Sequence, residues 1–361
     1  MRRTYIGFSL LAAGCCLSFA QQGYEEMVFE EALDIAQVAQ ESRKAAEAGD
    51  AAAQLQLARC YFTGSGVAPS TQRGMVWLRK AAEQGYADAQ CQMAECYAEG
   101  RGVEKNAVEA CRWWVKAARQ HHLEAMYRLG MAHLSGNGVQ KSDTLGLAWL
   151  QRTAAAGYTN AQYSLGFCRL QGVGGVQNFA EAAVLFEKAA ATGHADATFW
   201  LGFCKLHGVG TERQCDEALR LLELAADGLS APATVQLGRC YEVGLAVQAD
   251  ADKAFDWYWT GARMGNAEAC YRLGLMLLEG RGCQANQEKA VKWLKLAAEQ
   301  EHSRAQQKLQ EISKKPLFIF SCRLWRPGGK AAEHGWPAPS CSCCWCFAPH
   351  LPEVSAMLMP S

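Results

Sequence analysis

The 361-residue sequence predicts an all-α protein, a right-handed α-solenoid of seven 36-residue helix-turn-helix repeats, and three observations carry that prediction. Glycine recurs at Gly64, Gly100, Gly136, Gly172, Gly208, Gly244 and Gly280, a step of 36 residues with no insertion or deletion. Alanine keeps the same phase eight times, from Ala53 through Ala89, Ala125, Ala161, Ala197, Ala233 and Ala269 to Ala305. Between these markers small and large apolar side chains recur at helical spacing, so each unit reads as two helices that bury a face against each other. Half of the residues are apolar and a fifth are charged, which fits a packed helical chain rather than a disordered or multi-span membrane protein.

Residues 1–20 read as an export signal. Arg2 and Arg3 precede an apolar stretch from Ile6 to Phe19, and Ser18-Phe19-Ala20 forms a small-x-small cleavage site before Gln21. The stretch is too short for a comfortable span, so a periplasmic or secreted chain with no integral membrane span is expected after cleavage. Two alternatives stay open: Leu11-Ala12-Ala13-Gly14-Cys15 resembles a lipobox that would acylate Cys15, with Ala12 where leucine is usual, and the segment could be a buried N-terminal helix. Residues 21–49 are expected to hold a capping helix. Lys44-Ala45-Ala46-Glu47-Ala48-Gly49 repeats the end of a second helix in phase, with Glu41 where five of the later copies carry Trp, and solenoids need such polar ends.

The repeats fall at about 50–86, 87–122, 123–158, 159–194, 195–229, 230–266 and 267–302, and positions are named here by the number of the first copy. The first helix spans about Ala51 to Thr63, with Ala53, Leu57 and Tyr61 on its buried face. Position 58 is always Ala or Gly, which lets a second helix approach closely. Gly64 and its copies stop the helix, because glycine adopts the left-handed conformation of a helix C-terminus without cost. Position 70 holds Ser70, Asn106, Ser142, Asn178, Gln214, Asp250 and Asn286, six of which are good N-caps for a second helix. Glu109, Glu181 and Glu217 three residues later can complete capping boxes. In that helix position 74 is small, position 78 large and apolar, and position 82 always Ala. Trp77, Trp113, Trp149, Trp257 and Trp293 form a stripe at helical spacing, read as core rather than a cofactor box. Gly85, Gly157, Gly193 and Gly265 end second helices.

Residues 303–312 restart a first helix with Ala305 and Leu309, and beyond Ile312 the composition breaks: seven of nine prolines fall in residues 313–361. This tail is read as a disordered appendage or as sequence read in a frame that lost its selection. Cys341, Cys344, Cys346 and His350 suggest zinc, but they lack two well-separated ligand pairs.

Repeat two shows the full pattern as Ala89-Gln90, Tyr97, Gly100-Arg101-Gly102-Val103, Ala110, Trp113 and Lys116-Ala117-Ala118. Over about residues 50–309 it resembles the Sel-one-like repeat family, relatives of tetratricopeptide repeats. The resemblance implies an α-solenoid that serves as an interaction scaffold, and members include exported bacterial proteins. Departures are Ala246 for the second loop glycine, His121 and Glu301 for helix-ending glycine, and Gly261 in the usual Ala pair.

Of 36 basic and 36 acidic residues, Arg2 and Arg3 lie in the leader and five basic and two acidic residues in the tail, which leaves residues 21–312 with 29 and 34. A mildly acidic body argues against nucleic acid as a partner. No S-x-x-K, G-x-S-x-G, H-E-x-x-H or P-loop motif is present, so catalysis and a cofactor are not expected. The rival reading is a cell-wall-related enzyme, since some cysteine-rich relatives have been described as β-lactamase-like or penicillin-binding. His121-His122 is read as a solvated pair at a helix end. The body's ten cysteines are read as small buried side chains, with Cys96–Cys111 and Cys204–Cys215, on the two arms of single hairpins, as candidate disulfides.

The first helices are expected to line the inner surface. In the related tetratricopeptide hairpin, groove-facing residues correspond to positions 55, 59 and 62 here. Polar or charged residues occur there toward the ends, with Arg59, Glu95, Arg239 and Glu242, whereas the middle repeats present Tyr127, Met131, Tyr163, Phe167, Phe199 and Phe203. This strip is the candidate site for a protein or peptide partner. The competing expectation is that the rings pack against the adjacent first helix and leave nothing for a ligand.

Overall fold

A computed structural model describes residues 38–175 and 177–314. The leader with its lipobox, and the tail with Cys341, Cys344, Cys346 and His350, lie outside the described residues. Helix α1 occupies residues 38–47 and seven hairpins follow. Their first helices are α2 (Ala51–Thr63), α4 (Ala87–Glu99), α6 (Leu123–Ser135), α8 (Thr159–Gln171), α10 (Ala195–His207), α12 (Ala231–Val243) and α14 (Ala267–Glu279). The second helices are α3 (Thr71–Glu83), α5 (Ala107–Ala118), α7 (Asp143–Ala155), α9 (Phe179–Ala190), α11 (Cys215–Asp227), α13 (Ala251–Arg263) and α15 (Gln287–Glu299), and α16 (Ser303–Lys314) follows them. From α2 through α15 consecutive helices pack on one another, which makes an all-α solenoid.

The loops are closed by backbone and cap chemistry. All seven glycines of position 64 are left-handed, with φ between 69° and 81°, and end their helices. Ser70, Asn106, Ser142, Asn178, Asp250 and Asn286 each accept the amide three residues on, while Gln214 does not. The amide of position 70 itself donates to the carbonyl of position 61 at 2.8–2.9 Å in every hairpin. That bond occupies the donor a capping-box glutamate would accept. Glu109, Glu181 and Glu217 turn instead to Arg112, Arg169 and Lys205. Position 61 is therefore not uniformly apolar core: Arg169 and Lys205 stand in it, and each pairs with the glutamate across the hairpin.

Within a hairpin, small meets large twice. A Cβ on Gly166, Gly238 or Gly274 would fall 2.9, 2.6 and 2.8 Å from the Phe186, Tyr258 and Leu294 side chains, so position 58 is filled by position 78. Likewise a Cβ on Gly74 or Gly146 would fall 2.5 and 2.7 Å from Phe62 and Leu134. The tryptophans of position 77 are only half-buried. Their outer faces carry cations, with Lys80 Nζ 4.2 Å from the Trp77 ring and Lys116 Nζ 3.6 Å from that of Trp113.

Between hairpins the in-phase alanines are buried from Ala89 to Ala305. Beside them, Gln54, Gln90, Gln162 and Gln306 each reach back eight residues to donate Nε2 to Ala46, Ala82, Ala154 and Ala298 carbonyls at 3.1–3.3 Å. These carbonyls lie in the last turns of their helices, where each also accepts the amide three residues on and has a lone pair left for the glutamine. Gly261 departs from alanine because the Thr234 hydroxyl takes the space: a Cβ there would lie 2.3 Å from it.

Candidate functional site

The first helices place position 59 and much of position 56 on the surface that faces away from the second helices, with position 55 at its edge, where Leu55, Cys91 and Phe199 are buried. Side chains of successive hairpins meet there: Arg59 Nε donates to Gln92 Oε1 at 3.2 Å, and the Tyr127 and Ser164 hydroxyls lie 3.3 Å apart. Position 59 reads Arg59, Glu95, Met131, Phe167, Phe203, Arg239 and Leu275 along the array. The residue sits at one height on each helix, so these side chains form a row that crosses the helices.

The six candidate residues fare differently. Met131 is 38% exposed and is the most open of them. Tyr127 is half-buried, with its ring 5.5 Å from that of Tyr158. Tyr163 stacks on His194 at 4.6 Å and lies 6.2 Å from Phe186, and burial pushes its phenol pKa up. Phe167 and Phe203 each stand 5.6 Å from Trp200, which wedges between them from α10. Phe199 is a correction: at 8% exposure it joins Leu206, Leu222 and Leu237 in a hairpin core and offers no accessible face. Each of Tyr163, Phe167 and Phe203 keeps part of its surface, so the rings both pack on the neighbouring helix and line the outer surface of the first helices.

Position 62 is a second correction. Its side chains turn toward the second helix, where they cover the small residue of position 74; Leu206 is fully buried. Glu242 is not solvated either, since it accepts from the Tyr258 hydroxyl at 2.7 Å and from Arg281 at 2.9 Å. Trp200, at position 56, is the functional candidate that sequence reasoning missed. It lies next to the expected stripe rather than on it, and only the packing of α8 on α10 brings it between Phe167 and Phe203.

Toward the N-terminal end the same surface opens into a polar depression of about 230 Å³ lined by Arg59, Asp88, Cys91, Gln92, Glu95, His122 and Glu124. Most of its groups are satisfied. His122 Nε2 lies 3.1 Å from Asp88, Arg128 Nε donates to Glu124 at 2.6 Å, and the Tyr158 hydroxyl bonds Glu124. His122 is no solvated end residue, because its Nδ1 also accepts the Ala125 amide as the cap of α6. Toward the other end, burial and then Arg239 and Arg213 push the His207 pKa down.

The ten described cysteines are free thiols. Neither candidate disulfide forms, for a directional reason. Cys96 packs with Leu78, Ala82 and Met93 toward the preceding hairpin, whereas the Cys111 thiol donates to the Asn137 carbonyl of the following one. Cys204 packs back on Ala182 and Phe186, while Cys215 lies within electrostatic reach of Cys240 in the next hairpin. Burial raises the thiol pKa of Cys91 to about 12 and those of Cys96, Cys204 and Cys240 to about 11. Among the described residues no cluster of three or more His, Cys, Asp or Glu side chains is placed to hold a metal ion, and no helix is long and apolar enough to cross a membrane.

Comparison with known proteins places this geometry among relatives. The Sel1 repeat pattern matches seven times, at residues 51–86, 87–122, 123–158, 159–194, 195–228, 231–266 and 267–302. Two crystal structures share the fold. One is c5321, a protective antigen of uropathogenic Escherichia coli with an SLR fold, at 29% identity and a TM-score of 0.66 over 77% of this chain. The match spans 60% of the antigen's own length. The other is a Sel1 repeat protein from Oxalobacter formigenes, at 26% identity and a TM-score of 0.62, over 68% of this chain and 96% of that one. No curated protein gives a significant match.

Proposed function

Because the chain belongs to the Sel1 repeat family, whose members typically serve as protein-interaction scaffolds, we propose that it works as a non-catalytic adaptor that holds a protein or peptide on the surface of its first helices. The observation that carries this reading is the row Met131, Phe167 and Phe203 with Trp200 between the last two: apolar side chains on three successive hairpins that keep accessible surface after the core is filled. Partly exposed aromatic anchors of this kind dominate the energetics of protein interfaces. The export signal read in residues 1–20 supports action outside the cytoplasm.

The test is a crosslinking pull-down from the native envelope fraction with the wild-type chain and the Phe167→Ala/Phe203→Ala variant. Partner capture is expected to fall at least tenfold while cooperative helical unfolding persists. Undiminished capture by the variant, or robust hydrolysis of β-lactams or peptidoglycan fragments by the purified protein, would overturn the proposal.

A further inference from the structure

We infer that the partner is an extended segment that places a lysine or arginine against Glu95 and apolar side chains, about three residues apart, on Met131 and Phe167. The inference rests on the groove reading above and adds the chemistry of what is held there.

One charged group in the polar depression is left over among the described residues. Arg59 is spent on Gln92, Asp88 on His122, and Glu124 on Arg128 and Tyr158. Glu95 accepts no hydrogen bond and has no ion pair among the described residues, although it is half-buried on the same wall. Burial raises its pKa and Glu124 and Glu99 add to that, while Arg128 and Arg101 oppose it only through space. A half-buried carboxylate without a partner is less well solvated than one in open water. A cation delivered from outside would offset that loss, and the surroundings favour one: three carboxylates, of Asp88, Glu95 and Glu124, line the depression against two guanidinium groups, of Arg59 and Arg128.

Position sets the spacing. Glu95, Met131 and Phe167 occupy position 59 on α4, α6 and α8, so a ligand that crosses the helices meets them in that order. Successive first helices meet through their side chains, as at Arg59–Gln92 and Tyr127–Ser164, so the row steps by about one helix diameter, roughly 10–12 Å, while an extended chain advances about 3.3–3.6 Å per residue. Successive helices therefore meet side chains about three residues apart. The ligand pattern is basic, two residues, apolar, two residues, apolar, in whichever chain direction selection returns.

The experiment selects a random 15-residue display library on the full-length protein and on its Glu95→Gln and Phe203→Ala variants. Circular dichroism confirms that each variant is folded. Enriched peptides are expected to carry a lysine or arginine two to four residues from an apolar residue. A synthetic copy should bind at least tenfold more weakly to Glu95→Gln and tenfold more weakly when its basic residue is replaced by glutamine. Peptides that lose affinity on Phe203→Ala but show no basic preference, or bind Glu95→Gln equally well, overturn this inference and leave the groove reading standing. No enrichment, or enriched peptides indifferent to both variants, overturns the groove reading and this inference with it.

Discussion

Leu229 occupies the slot that ends a second helix, where four other copies carry Gly85, Gly157, Gly193 and Gly265. Its φ is +65°, against 82–91° at those glycines. A Cβ on any of the four glycines would touch nothing within 4 Å, so the slot asks for glycine through its backbone angle alone. Leu229 is 78% exposed and gives up little packing on replacement. A left-handed L-residue costs about 1–2 kcal/mol, and glycine returns about 0.5–1 kcal/mol of that through the freedom it adds to the unfolded chain. Leu229→Gly should therefore stabilise the protein by about 0.5–1 kcal/mol, and Leu229→Ala, which keeps the strain, should change stability by less than about 0.5 kcal/mol. Urea unfolding followed at 222 nm reads the difference as a midpoint shift of a few tenths molar. A lower midpoint for Leu229→Gly than for the wild type would refute the reasoning and show that the leucine side chain makes a compensating contact.

Gly238→Ala should cost about 1–3 kcal/mol by overpacking, since its Cβ would fall 2.6 Å from the ring of the fully buried Tyr258; a thermal melt checks this. In the first two hairpins Gln84 and Gln120 donate to Gln54 and Gln90, but Thr192 is too short to do the same and the Gln162 Oε1 stays buried without a partner. Thr192→Gln should add that bond and raise stability by about 0.5–1.5 kcal/mol, read from the urea midpoint. Thiols supply a pH dependence. Cys96, Cys204 and Cys240 have folded pKa values raised to about 11, above the ordinary 9.0, so the unfolded chain releases protons first as pH rises. Their contribution is complete below pH 9 and is lost between pH 9 and 11. The urea midpoint should fall across that window, and less so in a Cys204→Ala variant.

The hairpin frame is legible in the sequence because its determinants are local and repeated: a left-handed glycine, an N-cap and a small residue opposite a large one each recur at a 36-residue step. Features set by neighbouring hairpins were not legible in the same way. Position 62 reads as surface from spacing on one helix, yet the gap above Gly74 and Gly146 draws it inward. Phe199 and Phe203 lie four residues apart on one face, and only the burial around Leu206 and Leu237 separates a core ring from an accessible one. The left-handed angle at Leu229 is not legible from residue type, since the neighbouring Gly228 has φ −76° and the positive angle falls one residue later, on a leucine.

The reach-back glutamines also distinguish one joint of the array from the next. Gln54, Gln90, Gln162 and Gln306 rivet one hairpin to the last turn of the previous one, but the equivalent residue is Met126 at the next joint, and Thr198 and Thr234 bond within their own helices. At Cys270 only a long thiol contact of 3.8 Å remains. The bonding between hairpins is therefore uneven along the array. The joints on either side of α10 and α12 have lost their rivets, and Trp200 and Phe203 lie directly over them. A structure made of nominally identical units thus has joints of two kinds: four carry the glutamine bond, and four, at Met126, Thr198, Thr234 and Cys270, do not.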